Sequence, residues 1–212
     1  MIIAVDGPAA SGKGTVAKRL AAHFHLPHLD TGLLYRAVGI AVLRAGGDPA
    51  SEDEALAACG FGEAMLHDPG LKSEAAGKAA SIVSAHPAVR AALLERQKSF
   101  AAQPGGAVLD GRDIGTVIAP YASAKLFVTA SPEVRANRRF LELAKMGLEV
   151  TLEHVVTDIR ARDARDSTRS AAPLRMADDA HLIDTSAMGV EEAFAAALAI
   201  VEHCRAANDR AP

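Results

Sequence analysis

Tryptophan is absent from this chain, and two tyrosines and six phenylalanines are its only other large rings. A core with so few aromatics has to be aliphatic and alanine-rich, which suits helices packed on a sheet. Cysteine is nearly absent too. Cys59 and Cys204 stand far apart with no C-x-x-C partner, which excludes a disulfide framework and a cysteine zinc site and leaves two reduced thiols. No run of 18 apolar residues occurs, so no membrane-spanning helix is expected. The opening run Ile2-Ile3-Ala4-Val5 has no basic stretch before it and is broken by Asp6 and Gly7. It reads as a strand and not as a signal peptide. The net charge is −3, so bulk electrostatics offer nucleic acid nothing. A cytoplasmic protein of one domain fits these absences.

The feature that carries most information follows that first strand. Gly7-Pro8-Ala9-Ala10-Ser11-Gly12-Lys13-Gly14-Thr15 is G-x-x-x-x-G-K, a phosphate-binding loop. Its glycines let backbone N–H groups turn inward around phosphate oxygens, the next helix adds its positive N-terminal end, and Lys13 reaches the outer phosphates. The helix is readable because Val16, Leu20 and Phe24 recur four apart. A turn that bound nothing would have no use for a lysine beside its second glycine, where a cation without an anion is costly. The usual loop places a magnesium-ligating hydroxyl straight after the lysine. Gly14 stands there, so the ion is expected to be held through ATP phosphates and waters, with no direct protein ligand. Lys-Gly-Thr is the ending found in nucleoside monophosphate kinases.

Four more apolar runs read as strands: 28–30, 107–110, 125–129 and 181–184. Helical patterns separate them, the signature of a parallel sheet with crossover helices. Ser131-Pro132-Glu133 opens a helix with a cap, a first-turn proline and an acid at its positive end, and Arg135, Arg138, Arg139 and Glu142 share one stripe of it. Further helices are expected from Ala88 to Ala101 and from Val190 to Cys204, with 207–212 fraying. Turn signals crowd 48–77, read as an irregular insertion, and 146–153 reads as a short mobile connection. His23, His25 and His28 lie close together, but no acidic or cysteine pattern completes a metal site.

Three arginine sites stand out. Leu29-Asp30-Thr31-Gly32-Leu33-Leu34-Tyr35-Arg36 ends a strand in an acid, turns at Thr31-Gly32 and reaches Arg36 about one helical turn on. Asp110-Gly111-Arg112-Asp113-Ile114-Gly115 repeats the theme at the end of another strand, near where ligands bind in open α/β sheets. Residues 160–169 are the densest charge cluster in the chain. Arginine suits phosphate because its planar fork binds bidentately and keeps its proton. Each site also has a plain structural reading: a surface arginine, a turn with a salt bridge, and a solvated helix face laced with ion pairs.

These blocks, in this order and spacing and together with the Lys-Gly-Thr loop, resemble the bacterial cytidylate kinases. The resemblance runs from residue 1 to about residue 205, and Asp-Gly-Arg-Asp is its most specific marker. It implies an α/β P-loop kinase fold: a five-stranded parallel sheet flanked by helices, a small acceptor-binding insertion and a short lid. The core would be about 1–30, 105–145 and 165–205. The acceptor region would be about 31–104 and the lid about 146–164. The family's insertion is usually longer and contains several strands, whereas only about 58–77 is available here.

By position, the resemblance places ATP on Gly7, Pro8, Ala9, Ala10, Ser11, Gly12, Lys13, Gly14 and Thr15. It places the acceptor phosphate on Arg36 and Arg112, the sugar on Arg162 and Asp166, and the cytosine on Ser81, Asp166 and Arg169. Thr31, Tyr35, Arg90 and Asp113 complete the CMP side. Lys13, Arg112, Arg138 and Arg162 are expected to act on the transferring group. The implied activity is ATP- and magnesium-dependent phosphorylation of CMP and dCMP, by a monomer that binds neither nucleic acid nor membrane. A P-loop kinase for another small acceptor, such as UMP or shikimate, and a nucleotide-binding regulator without turnover are the competing readings.

Overall fold

In the computed structural model, residues 1–208 are described. Five strands form one parallel sheet: β1 (Ile2–Asp6), β2 (His28–Asp30), β3 (Ala107–Gly111), β4 (Ala124–Thr129) and β5 (His181–Asp184), in the order β2-β3-β1-β4-β5. The register pairs Asp30 with Asp110 and Asp6 with Gly111. Every strand end that carries chemistry therefore lies along one edge, where open α/β sheets take their ligands.

The eight α-helices among the described residues are α1 (Lys13–Phe24), α2 (Thr31–Arg44), α3 (Glu52–Ala57), α4 (Glu74–Val83), α5 (Pro87–Ala101), α6 (Pro132–Lys145), α7 (Leu152–Thr168) and α8 (Val190–Asn208). α1 lays Val16, Ala17, Leu20 and Ala21 against β1, β4 and α8, in a core with Ile3, Val5, Leu126, Val128 and Val201. No ring from a tryptophan is needed, as the composition required. β3 is buried along its whole length. A second core joins α2, α4 and α5 through Leu34, Val38, Ala80, Val83, Val89 and Leu93. A third joins α6 to α7 through Ala136, Leu143, Val155 and Ile159.

Two sequence expectations change. Residues 48–77 are less irregular than their turn signals suggest. Ser51 caps α3 by accepting from the Glu54 N–H, and Glu52, Asp53 and Glu54 sit at the helix's positive end. Three single turns of 3-10 helix follow over Ala58–Gly60, Glu63–His67 and Pro69–Lys72, with no strand, and Ser73 then caps α4. Thr31-Gly32 is likewise not a separate turn. It is the first turn of α2, because Asp30 accepts from the Gly32 N–H as the helix cap. Helix α8 continues to Asn208, past the start of the expected fraying, and residues 209–212 of that expectation lie outside the described residues.

Two buried contacts fix the phosphate loop in place. A Cβ on Gly7, at φ +152, would lie 2.0 Å from the Val128 carbonyl oxygen, so only glycine allows the loop to leave β1 against β4. Asp6 accepts from the Ile114 N–H at 2.8 Å and the Gly115 N–H at 2.7 Å. It thereby joins the loop's start to the wide turn that follows Asp-Gly-Arg-Asp.

Candidate active site

α1 begins at Lys13 with no side-chain cap. Its first N–H groups are therefore free for an anion, the condition under which a helix start binds phosphate. The buried Ser11 hydroxyl in the same loop has no hydrogen-bond partner. Lys13 Nζ is 4.0 Å from Asp110 Oδ2. Burial first, and then Arg112, push the lysine down from 10.5 to about 8, while Asp110 and Asp30 pull the other way. A cation held this far below its ordinary value is short of negative charge. Gly14 faces the same carboxylate, with its Cβ position 3.5 Å from Asp110 Oδ2. His28 Nε2 stands 2.8 Å from Asp110 Oδ1, and Thr31 Oγ1 donates to the Asp110 carbonyl at 2.9 Å.

Beside the loop opens a cleft of about 490 Å³, walled by α2 and α4 on one side and α6 and α7 on the other. That volume suits a mononucleotide. Lys13, Arg36, Arg112 and Arg162 line both this cleft and its narrow deep end. Arg36 Nη1 donates to the Leu71 carbonyl at 2.7 Å, which hangs the arginine from the 3-10 segment. Arg112 Nε donates to Asp166 Oδ2 at 2.8 Å. Arg162 Nε is buried and unpaired. Burial first, then Arg112, with Arg36 and Arg139 adding, push Arg162 down to about 10. Cations gathered so closely repel one another, and an anion between them is the physical remedy.

At the deep end, Asp113 ties two arginines together. Arg90 Nη2 donates to its Oδ2, and Arg169 Nη2, buried and without a hydrogen bond, lies 3.8 Å from its Oδ1. The Arg90 guanidinium sits 5.5 Å over the Tyr35 ring. The space there is about 50 Å³, room for a few waters and not for a pyrimidine ring. Ser81 is buried and accepts from Arg165 Nε at 3.2 Å across the cleft. The structure thus brings Thr31, Tyr35, Arg36, Arg90, Arg112, Asp113, Arg162, Asp166 and Arg169 to one pocket, with Ser81 on its outer wall.

The stripe on α6 divides its work. Arg135 is buried and donates to Asp163 of α7 at 3.0 and 2.6 Å and to the Ala9 carbonyl of the loop at 3.3 Å. Arg138, expected at the transferring group, does not line the cleft. Its Nη1 donates to Thr185 Oγ1 at 2.9 Å and to the Ser11 carbonyl at 3.3 Å, and its Nη2 to the Thr185 carbonyl at 2.7 Å. One residue on, Arg139 faces the cleft, bonded to Glu142 at 2.7 Å. Helical position explains the difference, since neighbouring residues are turned about 100° apart. Arg139, His28 and Thr185 were missed by sequence reasoning. Signals existed for Arg139, which shares the arginine stripe of α6, and for His28, which lies two residues before Asp30 on the same face of its strand.

A strand-loop-helix phosphate cradle at the edge of a parallel sheet, facing a cleft crowded with arginines, defines a P-loop protein built to hold two phosphorylated groups. The chain belongs to the cytidylate kinase family, whose model matches residues 3–203. It is 63% identical over 209 residues to a cytidylate kinase of Xanthobacter autotrophicus, covering 97% of this chain and 99% of that one. It is 61% identical to that of Azorhizobium caulinodans over 97% of this chain and all of the relative. A crystal structure of an uncharacterized protein from Eubacterium ventriosum shares the fold at a TM-score of 0.55, with 14% identity, covering 95% of this chain and 98% of that one. Among the described residues no helix is long and apolar enough to cross a membrane.

Proposed function

We propose that this protein transfers the γ-phosphoryl group of ATP to CMP and dCMP. One observation carries the reading: Lys13 of the phosphate loop and Arg36, Arg112 and Arg162 of the acceptor side share one cleft, with buried donors left open. The acceptor's phosphate oxygen attacks the γ-phosphorus in line, and ADP leaves. An acceptor phosphate is already an anion near neutral pH, so no general base is required, and catalysis is positioning plus cancellation of spreading charge. Residues 7–15 hold the donor. Arg36 and Arg112 hold the acceptor phosphate, and Arg162, lining the same cleft, acts on the transferring group and the sugar. Arg139, facing the cleft, supplies charge where Arg138 was expected to. Arg138 tethers the loop instead.

Magnesium fits this site as a passenger of ATP. Asp110 is the buried carboxylate facing Gly14 and Lys13, and it would hold a water of the ion, which supplies charge neutralisation at the phosphate oxygens. The core, acceptor region and lid act as separate bodies, and closing them excludes water that would otherwise hydrolyse ATP.

Cytosine is read by donors and acceptors. Arg169 donates to its acceptor edge, and Ser81 or Asp166 accepts from the amino group. A wrong base would leave buried groups unpaired at roughly 1–3 kcal/mol each. The deep end has to open first, because the Asp113 arginines now fill it. We also take the protein to be a cytoplasmic monomer. Sedimentation at the mass of one 22.0 kDa chain would support the monomer, and a concentration-dependent dimer would refute it.

The deciding experiment is a coupled assay of ADP release with CMP, dCMP, UMP, AMP and shikimate. CMP and dCMP should lead. Faster turnover of UMP or shikimate would replace the reading, and no turnover with any acceptor would favour a regulator.

A further inference from the structure

Thr185 is the first residue after β5 and is almost completely buried. Its side chain joins three elements. Oγ1 lies 2.9 Å from the Ser11 carbonyl of the phosphate loop and 3.0 Å from the Thr129 carbonyl at the end of β4, and it accepts from Arg138 Nη1 of α6 at 2.9 Å. A hydroxyl has one proton to give. The Thr129 carbonyl already takes the Thr185 backbone N–H at 2.8 Å. Ser11 otherwise receives only the long bond from Arg138 at 3.3 Å. The proton is therefore best placed on Ser11.

The Ser11 carbonyl belongs to the same planar peptide as the Gly12 N–H, and in a trans peptide the two point in opposite directions. Pulling the carbonyl outward toward Thr185 and Arg138 aims the Gly12 N–H inward, to the side where a phosphate would lie. Gly12 itself has φ +91, a left-handed conformation that glycine adopts without strain. Donors fixed before the ligand arrives need no reorganisation when it does.

We propose that Thr185 is a positioning residue for the donor nucleotide: its hydroxyl sets the Ser11–Gly12 peptide and, through Arg138, clamps α6 to the phosphate loop. The inference rests on the reading of residues 7–15 as the ATP site. It acts on the donor side alone, which makes it separable from a general loss of fold.

Thr185→Val keeps the shape and removes the hydroxyl, and Thr185→Ser keeps the hydroxyl. With Val, the KM for ATP and the calorimetric Kd for inorganic tripolyphosphate should each rise about tenfold, the equivalent of one strong hydrogen bond. The KM for CMP should stay within about twofold, and Ser should restore ATP to within about threefold of wild type. An unchanged KM for ATP would overturn the proposal. So would an equal rise for CMP, or a Ser variant no better than Val. If Val folds poorly by circular dichroism, Thr185→Ala takes its place under the same criteria. Lys13→Ala runs alongside. If it leaves transfer near wild type, the ATP-site reading itself has failed. If it abolishes transfer while Thr185→Val is silent, only the role of Thr185 has.

Discussion

At the scale of residues, Lys13 shows how burial tunes one charge. Desolvation and the nearby Arg112 bring it down to about 8, so in the ligand-free protein it is charged below that pH and neutral above it. The kcat/KM for ATP, which reports the free enzyme, should fall roughly fivefold from pH 8 to pH 9. A Lys13→Arg variant, slower throughout, should lose that alkaline limb. An unchanged limb in the arginine variant would assign the ionisation elsewhere. Ser81 offers a second residue-level test. Ser81→Ala should lower turnover of CMP by about tenfold and barely change UMP, because only cytosine presents an amino group for the serine to accept from. Equal losses on both would remove Ser81 from base reading. Lys13→Ala should abolish transfer while CMP still binds in calorimetry.

At the scale of elements, the wall of the cleft formed by α2 and α4 depends on how closely the two helices approach. A Cβ on Gly39 of α2 would stand 2.7 Å from Ala79 Cβ and 3.0 Å from the Ala79 carbonyl carbon. The two helices carry Tyr35 and Arg36 on one and Ser81 on the other. Gly39→Leu should push them apart, costing about 1–3 kcal/mol in urea unfolding. It should weaken CMP binding and leave ATP binding nearly intact, a split that global damage would not give. The α6–α7 pair depends on a different contact. Arg135, buried between Asp163 and the Ala9 carbonyl, joins α7 to the phosphate loop. Asp163→Asn should cost about 1.5–3 kcal/mol by thermal or urea unfolding, since it leaves a buried guanidinium with a neutral partner. In contrast to Gly39→Leu, it should weaken both nucleotides.

At the scale of the whole molecule, separate hydrophobic clusters underlie the sheet, the α2, α4 and α5 helices and the α6–α7 pair. Across the cleft, α4 and α7 meet through polar contacts: Arg165 to Ser81, and Lys78 Nζ 3.7 Å from Asp158 Oδ2. Contacts of this kind are weak in water and easily exchanged for a ligand. Hydrogen exchange should therefore show α4 and α7 gaining protection with CMP and a non-hydrolysable ATP analogue, while β1, β3 and β4 stay unchanged. Uniform protection of all elements would mean that one rigid body binds both nucleotides.

Much of this was legible in the sequence, for physical reasons. The phosphate loop is a local motif whose glycines and lysine do their work within nine residues. β1, β3 and β4 were legible as apolar runs, because the middle of a parallel sheet is buried on both faces, whereas the edge strands β2 and β5, half-buried and mostly exposed, offered shorter and weaker runs. Arg36, Arg112 and Arg162 were marked by their strand-end and cluster positions. The arginine stripe on α6 was visible, but its division of labour was not. Arg135, Arg138 and Arg139 differ only in what the fold sets against each: Asp163 in another helix, Thr185 beyond another strand, and an open cleft. The role of Thr185 left no sequence signal, because Ser11 lies 174 positions away in the chain. Sequence alone determined which chemistry this chain can do, because charge and backbone freedom belong to residue types. Tertiary structure alone decided which side chain does it, because burial and distance arise only when segments far apart in the chain are packed together.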